Sequence, residues 1–172
     1  MYQIAIVDDN ESWCFILATR LRQHGYAVST FTDTDLFLRN AEQFDLALID
    51  FSMPPRRYQA ETDGPDVIRK LRQRLNPPPL LILISSFFTE DILKEVADLN
   101  LQADVYLSKS IDSTELLRQI EALLATRGAP KQAVTEINDG NVTKPPTRTP
   151  RSADQNRPLR YEFWLDKASR GY

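Results

Sequence analysis

Three carboxylates, two hydroxyls and one ammonium stand along this chain at or just past the ends of short apolar runs. Asp8 and Asp9 follow IAIV, Asp50 follows LALI, Ser85 and Ser86 follow LLILI, and Lys109 comes shortly after VYL. A charge at a core boundary is costly unless something pairs with it. Three carboxylates brought together would also raise each other's pKa unless a cation intervened. Mg²⁺ fits such a set, being hard, octahedral and held by a few carboxylates plus waters, with a phosphate oxygen completing the shell. One carboxylate can then act as a nucleophile, while Lys109 balances the arriving phosphoryl charge and a Ser hydroxyl donates to its oxygen. Such a set is suited to taking up a phosphoryl group.

The elements that would bring these residues together are legible in the pattern. Ile4–Val7, Ala27–Phe31, Leu46–Ile49, Leu80–Ile84 and Val105–Leu107 read as strands, three of them nearly all aliphatic, as parallel strands covered on both faces are. Between them lie stretches of helical period. Trp13, Cys14, Leu17 and Leu21 share one side of a helix that Gly25 ends. Val67, Ile68, Leu71 and Leu75 follow Gly64-Pro65 and stop at three prolines, Pro77 to Pro79. Leu116, Leu117, Ile120, Leu123 and Leu124 form a last stripe, opened by Asp112 with Glu115 three residues on as a capping box. Strand and helix alternate five times, which gives an α/β fold, an open (βα)5 parallel sheet. Right-handed crossovers place every strand's C-terminal end on one edge, where ligands of such sheets bind. The chemical residues all belong to that edge.

Composition bounds the setting. The 172 residues suit one domain of ordinary size plus extra chain. No apolar run approaches the roughly 18 residues that span a membrane. The N-terminus lacks the pattern of a signal peptide, and the single Cys14 permits no internal disulfide; a cytoplasmic setting is the expectation. Residues 1–126 hold 12 Lys/Arg against 19 Asp/Glu, net −7, and residues 127–172 hold 9 against 5, net +4. Composition shifts at the same point, where Gly128, Pro130, Pro145, Pro146, Pro150 and Pro158 interrupt a polar stretch. The expected division is a folded domain over 1–126, a flexible Pro-rich linker over 127–158 and a short amphipathic tail over 159–172.

With these residues in view, the sequence resembles the receiver domains of two-component response regulators over about residues 2–125. The resemblance rests on VDDN at Val7–Asn10, IDFSMP at Ile49–Pro54, SS at Ser85–Ser86 and VYLSK at Val105–Lys109. It implies a flavodoxin-like, doubly wound sheet of strand order 2-1-3-4-5. It also implies Asp50 as phosphoacceptor, Asp9 as a direct Mg²⁺ ligand, Asp8 as a second acidic ligand and the backbone carbonyl of Ser52 as a further one. Lys109 would pair with the phosphate, Ser85 would be the switch hydroxyl, and Tyr106 the aromatic whose rotamer reports phosphorylation. The implied donor is a histidine kinase or histidine phosphotransfer protein, the protein catalyses its own phosphorylation and dephosphorylation without being a turnover enzyme, and a second copy of the chain is among the candidate partners.

Taken singly, each residue has a plainer reading: Asp8 or Asp9 as a helix N-cap, Asp50 or the serines as turn residues, Lys109 as a surface lysine, Tyr106 as core. Five coincidences at strand ends favour one site. His24, in a last helical turn, suits the helix dipole and receives no role. Three features depart from the family pattern. Ser110 stands where a proline usually follows the lysine. The loop after Asp50 is longer than usual by about six residues, which puts Arg56 and Arg57 beside the site as candidate partner contacts. Ser52 and Phe87 occupy the positions that tune hydrolysis, and a bulky Phe87 would shield an acyl phosphate.

In the tail, Tyr161, Trp164, Leu165 and Ala168 share one helical face. That segment is too short to fold alone and would need a partner surface. The residues after 126 are too few and too proline-broken for a helix-turn-helix domain, so output is expected through an unknown downstream protein rather than sequence-specific nucleic acid, with no membrane involved. Two other functions compete. An aspartate-nucleophile phosphohydrolase would want a second Asp where Ser52 stands, and an anionic-surface or nucleic-acid binder would want a basic face with interleaved aromatics.

Overall fold

A computed structural model describes residues 1–53 and 63–131. The chain divides into two units, Met1–Val134 and Thr135–Tyr172. Arg56 and Arg57, and the tail residues Tyr161, Trp164 and Leu165, lie outside the described residues.

The first unit runs β1 (Gln3–Val7), α1 (Glu11–Gln23), β2 (Ala27–Phe31), α2 (Thr34–Asn40), a 3₁₀ turn, β3 (Leu46–Asp50), α3 (Gly64–Arg74), β4 (Leu80–Ser85), α4 (Glu90–Asp98), β5 (Val105–Ser108) and α5 (Ser113–Arg127). All strand pairs are parallel, in the order β2-β1-β3-β4-β5. This is the open (βα)5 parallel sheet that the alternating pattern predicts, in the flavodoxin-like strand order that the family resemblance implies. The inner strands β3 and β4 are covered on both faces and carry near-continuous aliphatic runs, as does β1 beside them, whereas the edge strands β2 and β5 are half-exposed and carry Ser29, Thr30 and Ser108. On one face Ile4, Ile6, Leu48, Ile82 and Ile84 pack against Cys14, Leu17 and Leu21 of α1 and Leu116, Ile120 and Leu124 of α5. Each fully buried Leu or Ile contributes roughly 1.5–3 kcal/mol.

Each of these five α-helices begins on a side chain that accepts a backbone N–H: Asn10, Asp33, Asp63, Thr89 and Asp112. Asn10, and not Asp8 or Asp9, caps α1, its Oδ1 accepting from Trp13 N at 3.0 Å. The expected capping box at α5 forms by half. Asp112 accepts from Thr114 and Glu115 N–H, while the Glu115 carboxylate turns outward to Arg118 and Gln119. Gly64 permits a close approach: a Cβ there would clash with the Asp50 carbonyl oxygen. Its N–H donates to Phe51 O at 3.1 Å, which seats the start of α3 beside the end of β3. Among the described residues no helix is long and apolar enough to cross a membrane.

Candidate functional site

The C-terminal ends of β1, β3, β4 and β5 meet on one edge. Asp50 and Ser85 are the last residues of their strands, one residue further along than the apolar runs indicate. Parallel pairing sets Asp50 opposite Ile84 and Ser85 opposite Ser108. Asp8, Asp9 and Asp50 each present a carboxylate oxygen within 4.8 Å of the others. Asp8 is fully buried and Asp50 nearly so, while Asp9 is exposed.

Lys109 enters this cluster from the turn after β5, its Nζ 2.5 Å from Asp8 Oδ2 and 3.0 Å from Asp50 Oδ1. Three carboxylates against one ammonium leave two negative charges when all are ionised. Burial pushes the Asp50 carboxyl up to about 7; Lys109 pulls it down, and Asp8 and Asp9 push it further up. At Lys109 burial acts to lower the pKa, but contact with Asp8 and the charge of Asp50 outweigh it and raise the pKa. Asp8 Oδ1 accepts the Asn10 N–H at 2.9 Å. Asp8 Oδ2 meets the ammonium as an ion pair without the alignment of a hydrogen bond, and among the described residues it is the one buried side-chain polar atom that makes none. Two uncompensated negative charges and a buried, unbonded carboxylate oxygen are what a divalent cation would complete, and hard oxygen donors suit Mg²⁺.

Ser85 is buried, and its Oγ accepts the Phe87 N–H at 3.2 Å, so its own proton is directed elsewhere. Ser86 and Ser52 are exposed at the same edge. Phe51 and Phe88, each just past a strand end, pack edge to face at 5.3 Å and brace the two loops, while Phe87 is 42% exposed. Tyr106 lies half-buried on β5 opposite Leu83, and burial raises its pKa. His24 caps the C-terminus of α1 with Nδ1 2.9 Å from Arg20 O.

Two contributions escaped the sequence reading. Trp13, taken there as part of the α1 core stripe, also places its ring 4.8 Å from Lys109 Nζ. Its position in the first turn after Asp8-Asp9 was the available signal, since that turn overhangs the same edge. Cys14 donates from Sγ to Asp8 O at 3.6 Å, and burial, with Asp8 next in effect, pushes its pKa up to about 11. A cleft of about 200 Å³ opens beside Lys109, lined by Trp13, Ile16, Arg20 and Ile111 among others.

Comparison with known proteins agrees with this fold. The family model described as the response regulator receiver domain matches residues 4–121. The transcriptional regulatory protein PrrA of Mycobacterium leprae is 33% identical over 136 residues, 78% of this chain and 54% of that protein. The sensory transduction protein RegX3 of Mycobacterium tuberculosis is 30% identical over 150 residues, 86% and 60%. The chain thus spans between half and three-fifths of the length of these relatives. Among solved structures, a CheY-like receiver domain from Methanospirillum hungatei aligns with a TM-score of 0.60 and 25% identity over 74% of this chain and 96% of that one. The BeF3-activated receiver domain of Klebsiella pneumoniae RstA aligns at 0.58 and 23%, over 71% and 97%, and shows the shared fold.

Proposed function

Because the chain belongs to the response regulator receiver domain family, we propose that it is a signalling switch that accepts a phosphoryl group on Asp50 from a histidine kinase or histidine phosphotransfer protein. The observation that carries this reading is the cluster at the sheet edge: three carboxylates within 4.8 Å, with the Lys109 ammonium reaching both Asp8 and Asp50. In this reading an Asp50 carboxylate oxygen attacks phosphorus, the new O–P bond forms as the donor's P–N bond breaks, and the imidazole leaves with the electron pair and takes a proton. Asp9, Asp8, Asp50 and the Ser52 carbonyl would hold Mg²⁺. When bound, the ion supplies charge neutralisation for the phosphoryl oxygens. Lys109 balances the charge that remains, and the Ser85 hydroxyl donates to a phosphoryl oxygen. Tyr106, on the strand next to Ser85, reports the event by changing rotamer. The half-exposed Phe87 ring restricts water at the acyl phosphate and lengthens its life.

The donor is expected on the edge side of α1, where the cleft beside Lys109 is lined in part by the exposed Ile16. We place the protein in the cytoplasm, without turnover activity beyond its own phosphorylation and dephosphorylation. Output is assigned to protein–protein contacts with a downstream partner or a second copy. The names of PrrA and of PhoP from Bacillus subtilis, both transcriptional regulators, favour transcriptional output as the second reading. Incubation with Mg²⁺ and a small acyl phosphate tests the acceptor: a mass gain of one phosphoryl group in the wild type and none in Asp50→Asn is expected. Equal gain in both would overturn the assignment.

A further inference from the structure

The turn that carries Lys109 is built without the proline usual at its next position. Among the described residues the only cis peptide is Asn76-Pro77, so Lys109-Ser110 is trans. Two serines flank the lysine and bond across it. Ser108 Oγ accepts the Ser110 N–H at 3.2 Å, and the two hydroxyls lie 2.7 Å apart. Ile111 N donates to Ser108 O at 3.1 Å, closing the turn, and Lys109 N donates to Ser85 O at 2.9 Å, tying its start to the end of β4. The Lys109 backbone is therefore fixed on one side by the sheet and on the other by the serine pair.

The demand on this turn is unusual. Lysine is a long, rotamer-rich side chain, yet this one must reach 2.5 Å from one carboxylate and 3.0 Å from another. Ser110 is exposed and Ser108 half-exposed, so burial contributes little to holding the turn, and the hydroxyl bonds reinforce the two backbone bonds that close it. A proline at 110 would delete the N–H that Ser108 receives. We propose that Ser108 and Ser110 are positioning residues for phosphoryl uptake, locking a trans Lys109-Ser110 turn that aims the ammonium at the phosphoryl group on Asp50. The inference rests on the assignment of Asp50 above. Ser108 carries the larger share, since it makes both bonds; Ser110 contributes its hydroxyl alone, because its N–H remains whatever its side chain.

The test uses the full chain with Mg²⁺ and acetyl phosphate as donor, following phosphorylation at several donor concentrations. Ser108→Ala is expected to lower the maximal rate about fivefold, from the loss of a net hydrogen bond, with the half-saturating donor concentration unchanged. Ser110→Ala should lower it about twofold on the same grounds. Ser108→Thr, which keeps the hydroxyl on a strand position, should restore the rate. A purely structural role would lower the yield of folded protein and leave the maximal rate per folded molecule intact. An unchanged Ser108→Ala rate alongside normal wild-type phosphorylation overturns the serine pair alone. Absence of Asp50-dependent phosphorylation in the wild type overturns the site reading and this inference together.

Discussion

Asp45 stands one residue before β3 and Asp50 closes it; both carboxylates are buried, yet they meet opposite surroundings. Asp45 Oδ2 accepts Gln3 N–H at 2.8 Å and Oδ1 accepts Lys131 N–H at 2.7 Å. Its backbone oxygen accepts from Leu80 N and from Arg127 Nη1, and Arg127 continues to Pro78 O. The N-terminal end of the strand is thus a knot that joins β1, β4 and the chain leaving α5, with each Asp45 oxygen bonded. At the other end Asp50 receives one ammonium and faces two further carboxylates. A carboxylate bonded by backbone N–H groups stabilises the fold, whereas one left among like charges is held in readiness for a ligand. The two kinds stand at opposite ends of β3, and what separates them is the supply of donors.

Breaking the satisfied end should have the largest effect on stability. Asp45→Ala leaves the Gln3 and Lys131 N–H groups without their acceptor and is expected to lower unfolding free energy by about 3 kcal/mol, read by urea denaturation. Phosphorylation at Asp50 should persist in whatever remains folded.

At the opposite end the sign reverses. Asp50→Asn removes one of three like charges and is expected to raise stability by about 2 kcal/mol at pH 8 without divalent ions. The folded-state pKa of Asp50 is raised to about 7 from 3.8, so above pH 7 the carboxyl is ionised in the folded protein at a cost to stability. As pH falls from 7 toward 4 the wild-type carboxyl takes up its proton in the folded state and the cost disappears. The advantage of the variant should therefore shrink across that window. A variant less stable than wild type at pH 8 would contradict the contrast between the two ends.

Magnesium should narrow the difference by compensating the same charges. At ten times its dissociation constant the ion should stabilise the wild type by about 1.4 kcal/mol. Asp9→Asn, at an exposed position, should alter basal stability little and abolish that gain; thermal melts with and without Mg²⁺ read both. The smallest effect is expected at Trp13. Trp13→Leu should slow phosphorylation about threefold by removing a ring worth roughly 0.5–1 kcal/mol to a cation, and Trp13→Phe should recover part of the loss.

What the sequence disclosed follows from which interactions are local. Aliphatic runs and caps depend on neighbours, so the five strands and the residues at their ends were legible, and right-handed crossovers placed Asp8, Asp9, Asp50, Ser85 and Lys109 on one edge. Asp45 was passed over because FDLALID reads as a turn followed by a strand, and its partners are 42 residues upstream and 86 downstream. Trp13 was read as core because helical period reports which side of α1 is buried and says nothing of a lysine arriving from β5. The outward turn of Glu115 was decided by Arg118 and Gln119 competing for its carboxylate on the same helix. The pairing of Arg72 with Asp104, which ties α3 to the loop before β5, joins residues far apart in sequence and left no local mark.

The central claim is that Asp50, and not another carboxylate of this edge or the buried Asp45, takes the phosphoryl group. Borohydride reduces an aspartyl phosphate to homoserine, so trapping after exposure to Mg²⁺ and acetyl phosphate, followed by peptide mapping, identifies the acceptor. The account predicts homoserine at position 50 and intact aspartate at positions 8, 9 and 45. Homoserine at any of those three, with Asp50 intact, would contradict it.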